Sequence, residues 1–111
     1  MSKKNGRYSV PRKTCALVLT GDYDGAEARC RLDVGMGTYF TIAGIDTNQK
    51  AQIMAACQLF GDDILIEWNL NDDGKPIPAT GEGFLSLPPE LELAMLRAWS
   101  EAMATPLVET S

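Results

Sequence analysis

At 111 residues, 45% apolar and 23% charged, the chain has the size and composition of one soluble globular domain with a modest core, which excludes a fibrous repeat and pervasive disorder. Its net charge of −5 is unevenly spread: Lys3, Lys4, Arg7, Arg12 and Lys13 precede residue 14 with no acid among them, and all 15 acidic residues follow. The complete absence of histidine removes imidazole acid–base steps, histidine-based triads and histidine metal sites.

Residues 1–13 read as a basic arm that frays into solvent. Five positive charges without interleaved aromatics or a recognition helix do not make a nucleic-acid interface, and the acidic body that follows repels one. Neither the apolar segment of a signal peptide nor a run of about 18 apolar residues is present, so no membrane partner is expected and the cytosol is the default location. Cys15, Cys30 and Cys57 have no CxxC spacing and read as small core residues.

Thr14–Thr20 (TCALVLT) is apolar on both alternations, which predicts a strand whose outer face, with Ala16 and Val18, meets something else. The loop Gly21-Asp22-Tyr23-Asp24-Gly25 turns the chain into a second strand. There Ala26, Ala28, Cys30, Leu32 and Val34 alternate with Glu27, Arg29, Arg31 and Asp33. Gly35-Met36-Gly37 breaks this strand. Thr38–Ile45 then suits a short helix presenting Phe40, Ile42 and Ile45, although Tyr39–Ile42 would also suit a strand.

Asp46-Thr47 is expected to cap the main helix, whose stripe is Ile53, Cys57, Phe60, Ile64 and Trp68. Gly61 should kink or divide that helix. A short strand over Ile64–Trp68 is the alternative, set aside because Leu65 and Glu67 break a clean two-residue alternation. Asn69–Leu87 reads as a connection: Asn71-Asp72-Asp73-Gly74 marks an abrupt reversal, Pro76 and Pro78 stiffen the return, and Phe84, Leu85 and Leu87 anchor it. Pro88-Pro89 starts a last helix with the stripe Leu91, Met95, Trp99 and Met103. It is expected to end at Thr105-Pro106, leaving residues 106–111 as a tail. The result is an α+β fold over residues 14–105, an N-terminal β-hairpin packed against about three α-helices.

Little in the sequence carries chemistry. Asp62-Asp63 and Asp72-Asp73 read as loop charges rather than a catalytic dyad. Asn69, Asn71, Asp73 and Gly74 match the opening of a calcium loop, but Thr80 stands where a bidentate Glu is needed. Gly35-Met36-Gly37 and Gly81-Glu82-Gly83 belong to no complete phosphate fingerprint. No catalytic, cofactor or metal residue is therefore assigned, and the expectation is a protein that is not an enzyme. Trp68 and Trp99 are expected to pack into one core.

The run Ile66-Glu67-Trp68-Asn69-Leu70-Asn71-Asp72-Asp73-Gly74-Lys75-Pro76-Ile77-Pro78-Ala79-Thr80, followed by Glu82-Gly83 and Ala98-Trp99, resembles the small tail assembly chaperones of long-tailed bacteriophages, particularly those of actinobacterial hosts. Trp68, Asn69, Leu70, Asp73, Gly74, Pro76, Pro78 and Trp99 form the signature. Tyr23–Arg31 before Gly35-Met36-Gly37 is similar to their glycine turn and following strand, so the likeness spans residues 14–105. It implies a non-catalytic helper in the host cytoplasm, absent from the mature virion. Such a helper binds the tape measure protein and aids tail tube subunits, commonly alongside a frameshifted longer form of itself. Leu93, Leu96 and Met103, with Ala16 and Val18, are the candidate contacts, and self-association is compatible with the reading. The competing expectation is a structural subunit of the tail: tube, terminator or connector.

Overall fold

A computed structural model describes Ser9 and residues 13–109; most of the basic arm lies outside the described residues. The chain forms an antiparallel sheet and a set of helices in an α+β arrangement. Strands β1 (Thr14–Val18) and β2 (Glu27–Arg31) pair with Cys15 opposite Cys30 and Leu17 opposite Ala28. The alternation read in the sequence sets the faces. Leu17, Ala28 and Cys30 are buried, while Ala16, Val18, Glu27 and Arg29 face solvent. A short 3-10 turn, Gly21–Tyr23, joins the two strands.

The expected hairpin is extended by a third strand. The helix stripe holds through α2 (Lys50–Leu59) and the π-type turn Phe60–Ile64, burying Cys57, Phe60 and Ile64. There the helix ends, and Leu65–Trp68 is strand β3, so the preferred continuation of the helix to Trp68 is corrected. Trp68 pairs with Ala28, Glu67 with Arg29, and Leu65 with Cys30. Ile66 is the extra residue of a β-bulge, which brings Leu65 and Trp68 to the same inner face. A bulge thus imitates helical spacing, and it also spoils the two-residue alternation. The sheet order is β1-β2-β3.

Helix α1 (Met36–Ala43) precedes α2. Gln49, without a side-chain cap, stands at the α2 N-terminus. Asp46, expected as part of the cap, instead accepts a hydrogen bond from the Asn48 backbone N–H (2.9 Å) and shapes the turn ahead of the helix.

The long connection is more ordered than its composition implies. β4 (Asn71–Asp72) and β5 (Lys75–Pro76) form a minimal hairpin. Asp73 and Gly74 at its tip have φ of 53° and 83°, the pair of positive values that a two-residue type I′ turn requires and that Asp-Gly supplies. Helix α3 (Gly81–Leu85) follows, with the Thr80 side chain accepting from the Gly83 N–H. Phe84 and Leu87 are buried anchors, as expected. Gly61 and Gly81 let the turn after α2 and the start of α3 approach backbone to backbone, since a Cβ on Gly61 would fall on the Thr80 carbonyl and the Gly81 backbone.

Helix α4 (Pro89–Glu109) closes the fold. Its stripe of Leu91, Met95 and Trp99 is buried, and Met103 packs half-buried against the core. The helix passes the expected stop at Thr105-Pro106. Trp99 makes the central contact: its Nε1–H donates to the Arg31 carbonyl (2.8 Å), and its ring meets Phe60 edge-on at 6.0 Å.

Candidate functional site

The signature residues form a structural joint. Trp68, on the inner face of β3, donates from Nε1 to the Ile77 carbonyl (2.6 Å) and stacks on Phe84 at 6.2 Å. This ties the end of the sheet to the segment that returns from the β4–β5 hairpin. Asn69 continues the tie on the other side. Its Oδ1 accepts from the Glu27 N–H (2.9 Å), its Nδ2 donates to the Gly25 carbonyl (2.9 Å), and its own N–H donates to the Glu27 carbonyl (3.1 Å). The Leu70 carbonyl accepts from the Ile77 N–H (3.1 Å). Asp73 and Gly74 make the tip, Pro76 lies in β5, and the Pro78 carbonyl sits where only a glycine at Gly83 leaves room. Both tryptophans serve one core, Trp99 at its centre and Trp68 at its margin. The Asn69 oxygen that opens the calcium-loop pattern is directed at a backbone N–H.

The candidate contact residues are spread over two surfaces. Ala16 and Val18 lie on the open face of β1, Val18 being 59% exposed. Leu93 and Leu96 line a cleft of about 230 Å³ between α1 and α4, together with Ile42, Ala43, Ile45, Thr47, Arg97 and Ser100. Leu96 is 3% exposed and forms the floor of that cleft, so its expected role as a surface contact is corrected to a core role. Leu93 is half-buried at the wall, and Met103 packs against the core.

The exposed apolar residues nearest this cleft escaped the sequence reading. Helix α1 starts at Met36, inside the segment read as a break. Its inner face is Tyr39 and Ile42, with the Tyr39 ring 6.0 Å from Trp99. Its outer face is Met36, Phe40 and Ala43, spaced by four and three residues on one side of the helix. Met36 is 62% exposed and Phe40 60%. Phe40 was expected to share a face with Ile42 and Ile45; it points the other way. The signal was present in the sequence: counting from Met36 rather than Thr38 separates the two faces at once. Ala43 belongs to both the stripe and the cleft wall, so the outer face of α1 runs into the cleft as one apolar surface with the exposed Arg97 at its rim.

Among the described residues, the titratable groups whose pKa is shifted owe it to burial, hydrogen bonds and close neighbours. Glu92 is buried beside Cys57, and burial raises its carboxyl above the ordinary value despite the thiol hydrogen bond that favours the ionised form. Burial, with Glu92 adding to it, pushes the Cys57 thiol up to about 12. Cys30 is raised to about 12 by burial and then by the neighbouring Cys15. Thiols held protonated in this way are packing groups rather than nucleophiles. Asp62 is lowered by hydrogen bonds from Gln58 Nε2 (2.6 Å) and the Gly81 N–H (2.7 Å), which makes it a clamp between α2 and α3. Among the described residues no group of three or more Cys, Asp or Glu is placed to hold a metal ion, and no helix is long and apolar enough to cross a membrane. Set against known protein families, curated proteins and solved structures, the chain gives no match.

Proposed function

We propose that this chain is a non-catalytic tail assembly chaperone of a long-tailed bacteriophage, working in the host cytoplasm. It binds apolar helical segments of the tape measure protein and presents them to tail tube subunits. The observation that carries the reading is the outer face of α1, where Met36 and Phe40 stand about three-fifths exposed and lead into the cleft walled by Leu93 and Ile45. Large apolar side chains grouped on one exposed helix face mark a surface that another chain covers. Methionine suits it, because its flexible side chain packs against varied partners without a fixed template. The acidic composition keeps the helper itself soluble while that surface is open. The joint from Trp68 to Pro78 supports the same reading through the resemblance it carries, and its hydrogen bonds give it a structural role.

In this reading the joint fixes α3 and α4 against the sheet, and α4 in turn holds α1 so that its outer face stays free. A frameshifted longer form would carry the same surface on a second polypeptide. Mass spectrometry of infected-cell lysate and of purified particles tests the assignment against the structural-subunit alternative. The expected result is peptides of this chain in the lysate and none in the particle; recovery in particles at a copy number matching a tube, terminator or connector ring would overturn it.

A further inference from the structure

The two edges of the sheet are built differently. β3 is guarded in the ways that natural edge strands are: it is four residues long, bulged at Ile66 and charged at Glu67. β1 is nearly as short, at five residues, but lacks the other two devices: from Thr14 to Val18 it carries no charge and no bulge, and no proline either. The bonds Leu19 N–H to Ala26 O (2.9 Å) and Leu32 N–H to Lys13 O (2.8 Å) frame the β1–β2 ladder, so the odd-numbered residues of β1 bond to β2. The N–H and C=O groups of Thr14, Ala16 and Val18 therefore point away from the sheet. All three residues are exposed.

We infer that β1 pairs antiparallel with β1 of a second copy of this chain about a two-fold axis at Ala16, joining two three-stranded sheets into one. The strand is complementary to itself in that register. Ala16 meets Ala16, the smallest side chain on itself, and Thr14 of each copy lies opposite Val18 of the other, both β-branched and suited to a pleated surface. On the inner face Cys15 of one copy lies opposite Leu17 of the other. Charge decides between a second copy and an unrelated strand of opposite charge. The paired segment itself offers no ion to recognise such a strand. The charges around it are Lys13 at its end and Glu27, Arg29 and Arg31 on β2, with the Arg29 guanidinium reaching over β1 to the Thr14 hydroxyl (3.5 Å). Since Thr14 and Lys13 face the uncharged Val18 and Leu19 of the other copy in this register, no like charges are directly opposed. A two-fold contact of this kind closes after two copies and leaves the guarded β3 edges outermost. Strand pairing alone makes a small interface, so the dimer is weak and depends on concentration. This inference does not depend on the client-binding surface of α1, which lies on other elements.

Sedimentation velocity on the full chain over a concentration series tests it. The native protein is expected to pass from monomer to dimer. Ala16→Pro removes an outward N–H that β2 does not use, and Ala16→Lys sets two ammonium groups against each other across the axis. Each is expected to weaken dimerisation by about tenfold or more, with far-UV circular dichroism unchanged, while Ala16→Thr retains it. If Ala16→Pro does not fold, Ala16→Lys decides. Hydrogen exchange is expected to show the Ala16 and Val18 amides protected in the dimer and open in the monomer. The inference is overturned by a native chain that stays monomeric at its solubility limit, or by dimerisation unaffected by both Ala16 variants but abolished by Phe40→Ser. Protection of the two amides in the monomer, which would mean the chain covers its own edge, overturns it equally.

Discussion

Trp99 shows how one side chain joins the layers. Its ring is fully buried between Phe60 and Tyr39, and its indole N–H satisfies the Arg31 carbonyl at the end of β2. Trp99→Phe removes ring volume from a close-packed site and leaves that carbonyl without its partner. The expected loss is about 2–4 kcal/mol, read as a lower urea midpoint. Glu92 works the other way. Burial holds its folded-state pKa above the ordinary 4.5, so below that value the group is neutral in both states and costs nothing. As pH rises through the raised pKa, ionisation is harder in the folded chain and stability is lost. Glu92→Gln keeps an acceptor for the Cys57 thiol and removes the charge. It should melt higher than the native protein at pH 7, with the gap closing toward pH 4 in a calorimetric series. Asp62 has the opposite sign, because its lowered pKa gives stability that is present at neutral pH and lost on acidification. Asp62→Ala should melt lower at pH 7, and the difference should shrink as the pH falls through the lowered pKa.

At the scale of elements, the joint between α2 and α3 is the least forgiving part of the fold. Gly61→Ala drives a methyl group into the Thr80 carbonyl and the Gly81 backbone, which cannot step aside as a side chain can. Overpacking against backbone is expected to cost about 3 kcal/mol. Gly74→Ala, at φ 83° in open space, should cost about 1 kcal/mol from backbone conformation alone. Chemical denaturation of both variants checks this order. The same elements show what could be read from residues. β1, β2, the Asp73-Gly74 reversal, the α2 stripe as far as Ile64 and the α4 stripe as far as Met103 were legible, because period and turn chemistry are local. β3 was not, because a bulge at Ile66 gives Leu65 and Trp68 a helical spacing, and only the partner strand reveals it. The exposed stripe of α1 was missed because glycines on both sides of Met36 looked like a break. A helix held by tertiary contacts, here Tyr39 and Ile42 against the core, tolerates that local weakness.

For the molecule as a whole, the proposed function needs a stable scaffold with one apolar surface left open, and the two requirements fall on different residues. The joint and the Trp99 cluster are expected to govern melting temperature. Met36 and Phe40, both more than half exposed, are expected to govern client binding with little effect on melting, since surface substitutions away from special features usually shift stability by no more than about 0.5 kcal/mol. Client binding by this face is read by following light scattering as denatured tape measure protein is diluted into buffer with the native chain or with the double variant Met36→Asp, Phe40→Asp. The native chain should suppress aggregation in proportion to its concentration, and the double variant, folded and melting as the native chain does, should not. Scattering that rises equally with and without the native chain would mean that this chain does not hold the tape measure protein.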